Sequence, residues 1–128
     1  MWGWIAGAAL ALCLQDPKTQ EGREADVKVL FLTNCAACHG ETGDGKGWTK
    51  LDRPARSFQD GGFSYGNTPE ALFRTITVGI PGTQMPGFGT SLTEQERRML
   101  ADHVITLGPE GVVVEPEDTI LVVRDRPL

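Results

Sequence analysis

Apolar side chains recur at spacings of three and four in three separate stretches of this sequence, and each such stretch predicts an α-helix. The first runs from about Glu24, where Val27, Leu30, Phe31, Cys35 and Cys38 share a face, and Gly40 ends it. The second is marked by its ends: Thr68 can cap it, Pro69 fits the first helical position, Glu70 favours the dipole and Gly79 closes it. The third opens on the capping box Thr93-Glu94-Gln95-Glu96, carries Leu100, Val104 and Leu107 as one apolar stripe, and stops at Gly108-Pro109.

Between these helices the period is lost. Gly43, Gly45 and Gly47 follow the first helix too closely for regular structure, and Pro54, Gly61, Gly62 and Gly66 make residues 51–67 a long loop studded with aromatics. Ile80-Pro81-Gly82-Thr83-Gln84-Met85-Pro86-Gly87-Phe88-Gly89 is likewise too rich in Gly and Pro for helix or strand. Beyond Pro109, Val112-Val113-Val114 and Ile120-Leu121-Val122-Val123 flank the turn-prone Glu115-Pro116-Glu117-Asp118, which predicts a short β-hairpin. The expected organisation is one all-α domain over residues 23–108 and an extension over residues 109–128. No internal repeat or low-complexity block interrupts it.

Ahead of the domain, residues 1–14 are apolar and residues 15–22 are polar, the latter predicting a linker. The apolar run is too short to span a bilayer but suits a secretory leader, with Ala9-Leu10-Ala11 as a small-x-small cleavage site. No Lys or Arg precedes it. Leu10-Ala11-Leu12-Cys13 is also similar to a lipoprotein box, in which Cys13 would be lipidated; Leu12 is bulkier than that pattern prefers. A buried apolar helix of the mature fold is the remaining reading.

Composition narrows the picture. With 40% hydrophobic residues, 16 Gly and 8 Pro in 128 residues, the core is modest and much of the chain is loop. Small domains of that kind need a staple: a disulfide, a metal or a covalent cofactor. The net charge of -5, with no basic patch standing out, argues against nucleic-acid binding and leaves room for a partner with a basic surface.

The staple is suggested by Cys35-Ala36-Ala37-Cys38-His39. Three cysteines in all, two of them this close, make a poor disulfide framework. Two thiols three positions apart at a helix end can each add to one vinyl group of a single porphyrin, and the imidazole that follows then reaches the iron. The pattern is that of a c-type haem site. Gly40 next to the ligand lets backbone pass close to the ring. Structural zinc would need four ligands, and Cys35, Cys38 and His39 with the distant His103 make a poor tetrahedron. A thioredoxin-like dithiol would need a βαβ context, which is absent.

An iron held by His39 needs a sixth ligand or an open position, and Met85 is the candidate. It sits in the stiff Gly-Pro loop among the apolar Ile80, Pro81, Pro86 and Phe88. Met1 is the initiator, Met99 lies near the apolar stripe of the third helix as a core filler, and His103 is a packed helix residue. His/Met ligation closes the iron to substrate and raises its potential, as does burial of the porphyrin, so the pattern describes an electron carrier rather than an enzyme.

Cys35-Ala36-Ala37-Cys38-His39-Gly40, the glycines of residues 41–47, Gly79-Ile80-Pro81-Gly82-Thr83-Gln84-Met85-Pro86 and the closing helix from Thr93 to Leu107 together resemble a class I bacterial cytochrome c. The resemblance covers residues 22–108 and implies an all-α fold whose N- and C-terminal helices cross, here through Phe31 against Leu100 and Val104. It also implies thioether bonds at Cys35 and Cys38 to one haem c, with His39 and Met85 as axial ligands. His103 stands where the family commonly has an aromatic. A proline carbonyl should bond the His39 imidazole, with Pro54 the candidate. Arg53, Arg56, Trp48 and Tyr65 are candidates for the haem propionates, and Phe58, Phe63 and Phe73 for packing on the ring edge or in the core.

The expected function is electron transfer in a respiratory or dehydrogenase-linked chain, in the periplasm or on the outer face of a bacterial cytoplasmic membrane. The expected partners are a redox donor and acceptor and a larger membrane redox complex, with membrane contact only through a leader anchor or lipid. The tail would pack on the domain or pair its edge with that complex. The alternative is a haem sensor or small peroxidase with an openable sixth site.

Overall fold

The computed structural model describes residues 17–111. Over that range the fold is all-α: α1 (Pro17–Asn34), α2 (Ala36–His39), α3 (Pro69–Val78) and α4 (Glu94–Leu107). No strand occurs among the described residues. The apolar leader and the predicted hairpin at residues 112–123 lie outside them.

The ends of α3 and α4 follow their local chemistry. Thr68 Oγ1 accepts the Ala71 N–H at 3.2 Å, and the Gly79 N–H, at a φ of +77°, bonds the Thr75 carbonyl. At α4 the capping box closes both ways: Glu96 N–H donates to Thr93 Oγ1 at 3.2 Å and Thr93 N–H to Glu96 Oε2 at 2.8 Å.

The first helix departs from the pattern at both ends. It begins at Pro17, so most of the expected linker is helical. A proline costs nothing at the first helical position. The segment then meets no breaker before Gly22, whose missing side chain faces open space. At the other end the expected single helix divides at Cys35, whose φ of -119° sets α2 off as a separate turn.

The core forms where α1 and α3 each pack on α4. Phe31 and Leu100 are the largest side chains sealed completely, joined by Val27, Leu72, Ile76, Ala101 and Val104. The expected meeting of Phe31 with Leu100 and Val104 is therefore present in one cluster. His103 sets its imidazole edge-on against Phe31, with centroids 5.3 Å apart at 66°. It thus fills, as a ring, the place where the resemblance implied an aromatic. Met99 packs on this core as a filler. Phe73 lies under the Arg98 guanidinium, 4.1 Å from the ring centroid, and Arg98 also pairs with Glu70 and Glu94. Among the described residues, no helix is long and apolar enough to cross a membrane.

Candidate functional site

One turn carries three of the expected residues. Cys35 ends the run of α1, and Cys38 and His39 complete α2; the His39 N–H bonds the Cys35 carbonyl at 3.0 Å. Both cysteines are free and half-buried. Burial, and then the neighbouring Cys38, push the Cys35 thiol up to about 12. A thiol held protonated at neutral pH is a poor redox nucleophile, which disfavours a thioredoxin-like role.

The loop behind the turn is fitted to it by glycine. Gly45 N–H bonds the His39 carbonyl and Thr49 N–H the Ala37 carbonyl, both at 2.8 Å. A Cβ on Gly47 would sit 2.1 Å from the Ala37 carbonyl oxygen, so any side chain there would force the two strands of chain apart. Phe58 N–H bonds the Gly43 carbonyl at 2.7 Å, and this brings the Phe58 ring into a stack on the His39 imidazole, 4.6 Å between centroids, with Phe63 stacked beyond it.

His39 is positioned accordingly. Its Nδ1 is buried and makes no hydrogen bond of full geometry. Burial lowers its pKa, and a weaker backbone interaction with Arg56 opposes that. Only an accepting carbonyl can favour the charged ring, so the nearby backbone group is the Arg56 carbonyl, two positions beyond the expected Pro54. Pro54 itself is exposed. The result is a neutral imidazole, the form that ligates a metal.

Met85 lies on a separate loop, residues 79–89, that folds back on α3. Ile80 N–H bonds the Met85 carbonyl at 3.2 Å, and Thr83 Oγ1 accepts the Met85 N–H at 3.2 Å while donating to the Ile80 carbonyl at 2.7 Å. The far limb is tied down by Phe88 N–H to the Ile76 carbonyl and Gly89 N–H to the Thr77 carbonyl. Met85 and Phe88 are half-buried. Gln84 reaches across to the other loop, where its Oε1 accepts the Asp52 N–H at 2.8 Å. That contact had no sequence signal beyond the position of Gln84 next to Met85. Trp48, Arg53, Arg56 and Tyr65, the propionate candidates, are exposed.

The donor set fits a c-type haem. Two free thiols three positions apart on one turn suit two thioether bonds to a single ring, and the buried imidazole of the next residue suits an iron ligand. Among the described residues, no three His, Cys, Asp or Glu gather as a metal-ion site of their own. His103 is occupied on the α1–α4 contact and does not extend the set.

Known proteins are similar to this chain. Residues 22–104 match the family model described as cytochrome C oxidase, cbb3-type, subunit III. The cbb3-type cytochrome c oxidase subunit FixP of Azorhizobium caulinodans is 34% identical over 92 residues, covering 72% of this chain and 28% of that protein. Cytochrome c55X of Stutzerimonas stutzeri is 34% identical over 83 residues, 65% of this chain and 66% of that one. Cytochrome c55X of Paracoccus denitrificans is 32% identical over 101 residues, 79% of this chain and 85% of that one. The chain thus spans little more than a quarter of FixP and about two thirds of the first cytochrome c55X. Among solved structures, a chain of the Kuenenia stuttgartiensis reducing HAO-like protein complex matches with a TM-score of 0.61 at 29% identity, covering 70% of this chain and 45% of that one. The family match takes in α2, α3 and most of α1 and α4, and with it the chain belongs to the cbb3-type cytochrome c oxidase subunit III family, as a c-type cytochrome.

Proposed function

We propose that this chain holds one haem c through thioethers at Cys35 and Cys38, with His39 and Met85 as its axial ligands, and passes single electrons. The observation that carries this reading is the α2 turn, which sets the free thiols of Cys35 and Cys38 beside the buried His39 imidazole. The haem would supply a one-electron iron couple. The protein's part is to hold the ring and tune it. The Phe58 ring stacked on His39 would orient the imidazole, with the Arg56 backbone nearby as the outer partner of a metal-bound ring. The loop of residues 79–89 would present the Met85 thioether, a ligand that favours ferrous iron. With both axial positions filled from the protein, the chain has no open site for a substrate, and its work is transfer rather than catalysis.

The relatives support a setting. FixP and CcoP are named as oxidase subunits, and one structural neighbour is part of a larger complex. The place proposed for this chain is a respiratory or dehydrogenase-linked chain of the bacterial envelope, exported to the periplasm or the outer membrane face. There it would act between a protein donor and acceptor, docked in a membrane redox complex.

Visible spectroscopy and mass tests the reading. Protein made in a host that attaches haem outside the cytoplasm should carry the mass of one haem, lost in the Cys35→Ser/Cys38→Ser variant. The ferric protein should show a weak band near the red end of the visible, and Met85→Ala should abolish it and lower the reduction potential. An intact band in Met85→Ala would remove Met85 as ligand. No band in the wild type, with ready carbon monoxide binding to the ferrous form, would favour an open sensor or peroxidase site instead.

A further inference from the structure

We propose that Gln84 is a positioning residue, a latch across the two loops that keeps Met85 seated on the iron. The inference rests on Met85 as axial ligand and adds what holds it there. The loop of residues 79–89 is anchored on one side by its own turns, by α3 and by Phe88 against the core: Phe88 and Gly89 donate to the Ile76 and Thr77 carbonyls, Ile80 to the Met85 carbonyl and Leu92 to the Phe88 carbonyl. None of these bonds fixes the loop relative to the Cys35–His39 side of the molecule. Among the described residues, the hydrogen bond that does is Asp52 N–H to Gln84 Oε1, at 2.8 Å and across 32 positions of sequence.

Its placement decides what it controls. Gln84 is the residue immediately before Met85, so any swing of the loop away from residues 51–55 moves the Met85 backbone with it. The bond is also specific in sense. The donor is main chain, so the Asp52 carboxylate contributes nothing to it; the acceptor is a side-chain oxygen, so substitution at Gln84 removes it. Both groups are exposed, and water competes for them. An ordinary intramolecular hydrogen bond of this kind shifts an equilibrium by about two- to tenfold. Lost from the latch, that factor appears as a larger fraction of protein with Met85 off the iron.

The test uses the haem-bound protein with imidazole as the probe, because an added ligand can enter only when Met85 has left. Gln84→Ala should bind imidazole to the ferric form about two- to tenfold more tightly than wild type, with a weaker red-end band. Gln84→Glu keeps an oxygen acceptor, and a charged one accepts more strongly, so it should bind imidazole no better than wild type. Asp52→Ala keeps the N–H and should leave imidazole binding unchanged. Haem content and far-ultraviolet helix signal, measured on each variant, should match wild type, so that the change is read at the iron. Gln84→Ala indistinguishable from wild type, or Asp52→Ala as loose as Gln84→Ala, would overturn the latch. Failure of the ligand itself shows separately: Met85→Ala would then leave band and imidazole affinity unaltered.

Discussion

His103 shows how a single residue can be read correctly as to place and still add a property. The sequence marks it as a packed helix residue, and the structure sets it edge-on against the buried Phe31. Burial lowers its pKa from the ordinary 6.5, and the Lys28 charge lowers it further. The sign of the consequence follows. Above the ordinary value both folded and unfolded chains carry a neutral imidazole, so His103 contributes no pH dependence there. As pH falls through 6.5 the unfolded chain takes up its proton first, and stability declines until the folded pKa is reached. The wild type is therefore expected to lose denaturant resistance between neutral pH and that lower value, whereas His103→Phe should keep the ring contact and flatten the decline. Equal slopes for the two proteins, followed by urea unfolding at a series of pH values, would contradict the assignment. The proposed haem-attachment cluster is legible at this scale because Cys35, Cys38 and His39 are neighbours in sequence. The partner of His39 was not. Arg56 and Phe58 reach it only through the course of a long loop, and nothing local distinguishes Arg56 from Pro54 as the residue whose carbonyl comes near.

Elements divide the same way between local and distant causes. Both ends of α3 and the start of α4 are set by side chains within four residues, and Thr68, Gly79, Thr93 and Glu96 act in the structure as their spacing predicts. The start of α1 and the break at Cys35 have no such marker. Residues 17–22 form helix without an apolar period, and Cys35 departs from helical geometry inside a pattern that continues through it. On the proposed ligation, function turns on the Met85 loop, and Gly87 is where that loop is pinched. A Cβ there would lie 2.7 Å from the Val78 carbonyl carbon and oxygen and 2.8 Å from the Thr77 carbonyl oxygen, all backbone at the end of α3. Those atoms are held by the helix, so the loop is what must give way. Gly87→Ala should displace residues 85–89 outward, weakening or abolishing the red-end band of the ferric protein. Haem content, fixed at Cys35 and Cys38, should stay the same. A full-strength band in Gly87→Ala would mean the loop absorbs the methyl without moving Met85.

At the scale of the whole molecule, two kinds of support hold unequal shares of the chain. α1, α3 and α4 seal Phe31, Leu100, Leu72, Ile76 and Val104 between them. The long segments 40–67 and 79–89 contribute little to it: among them only Phe63 is a buried apolar side chain, and turn hydrogen bonds do the rest. Each backbone residue fixed costs about 1–2 kcal/mol in entropy, a cost those loops cannot offset from so little burial. The composition, rich in Gly and Pro, implied this need for a staple before any fold was visible. A ring bonded to Cys35 and Cys38 and held by His39 and Met85 would tie both loops to the helices at once. The haem-free Cys35→Ser/Cys38→Ser protein is therefore expected to retain much of its far-ultraviolet helix signal, carried by α1, α3 and α4. It should lose near-ultraviolet structure and melt over a broad range rather than in a sharp transition. A sharp melt at the temperature of the haem-bound protein would show instead that the helices alone order the loops, and that the iron is held by a scaffold already rigid.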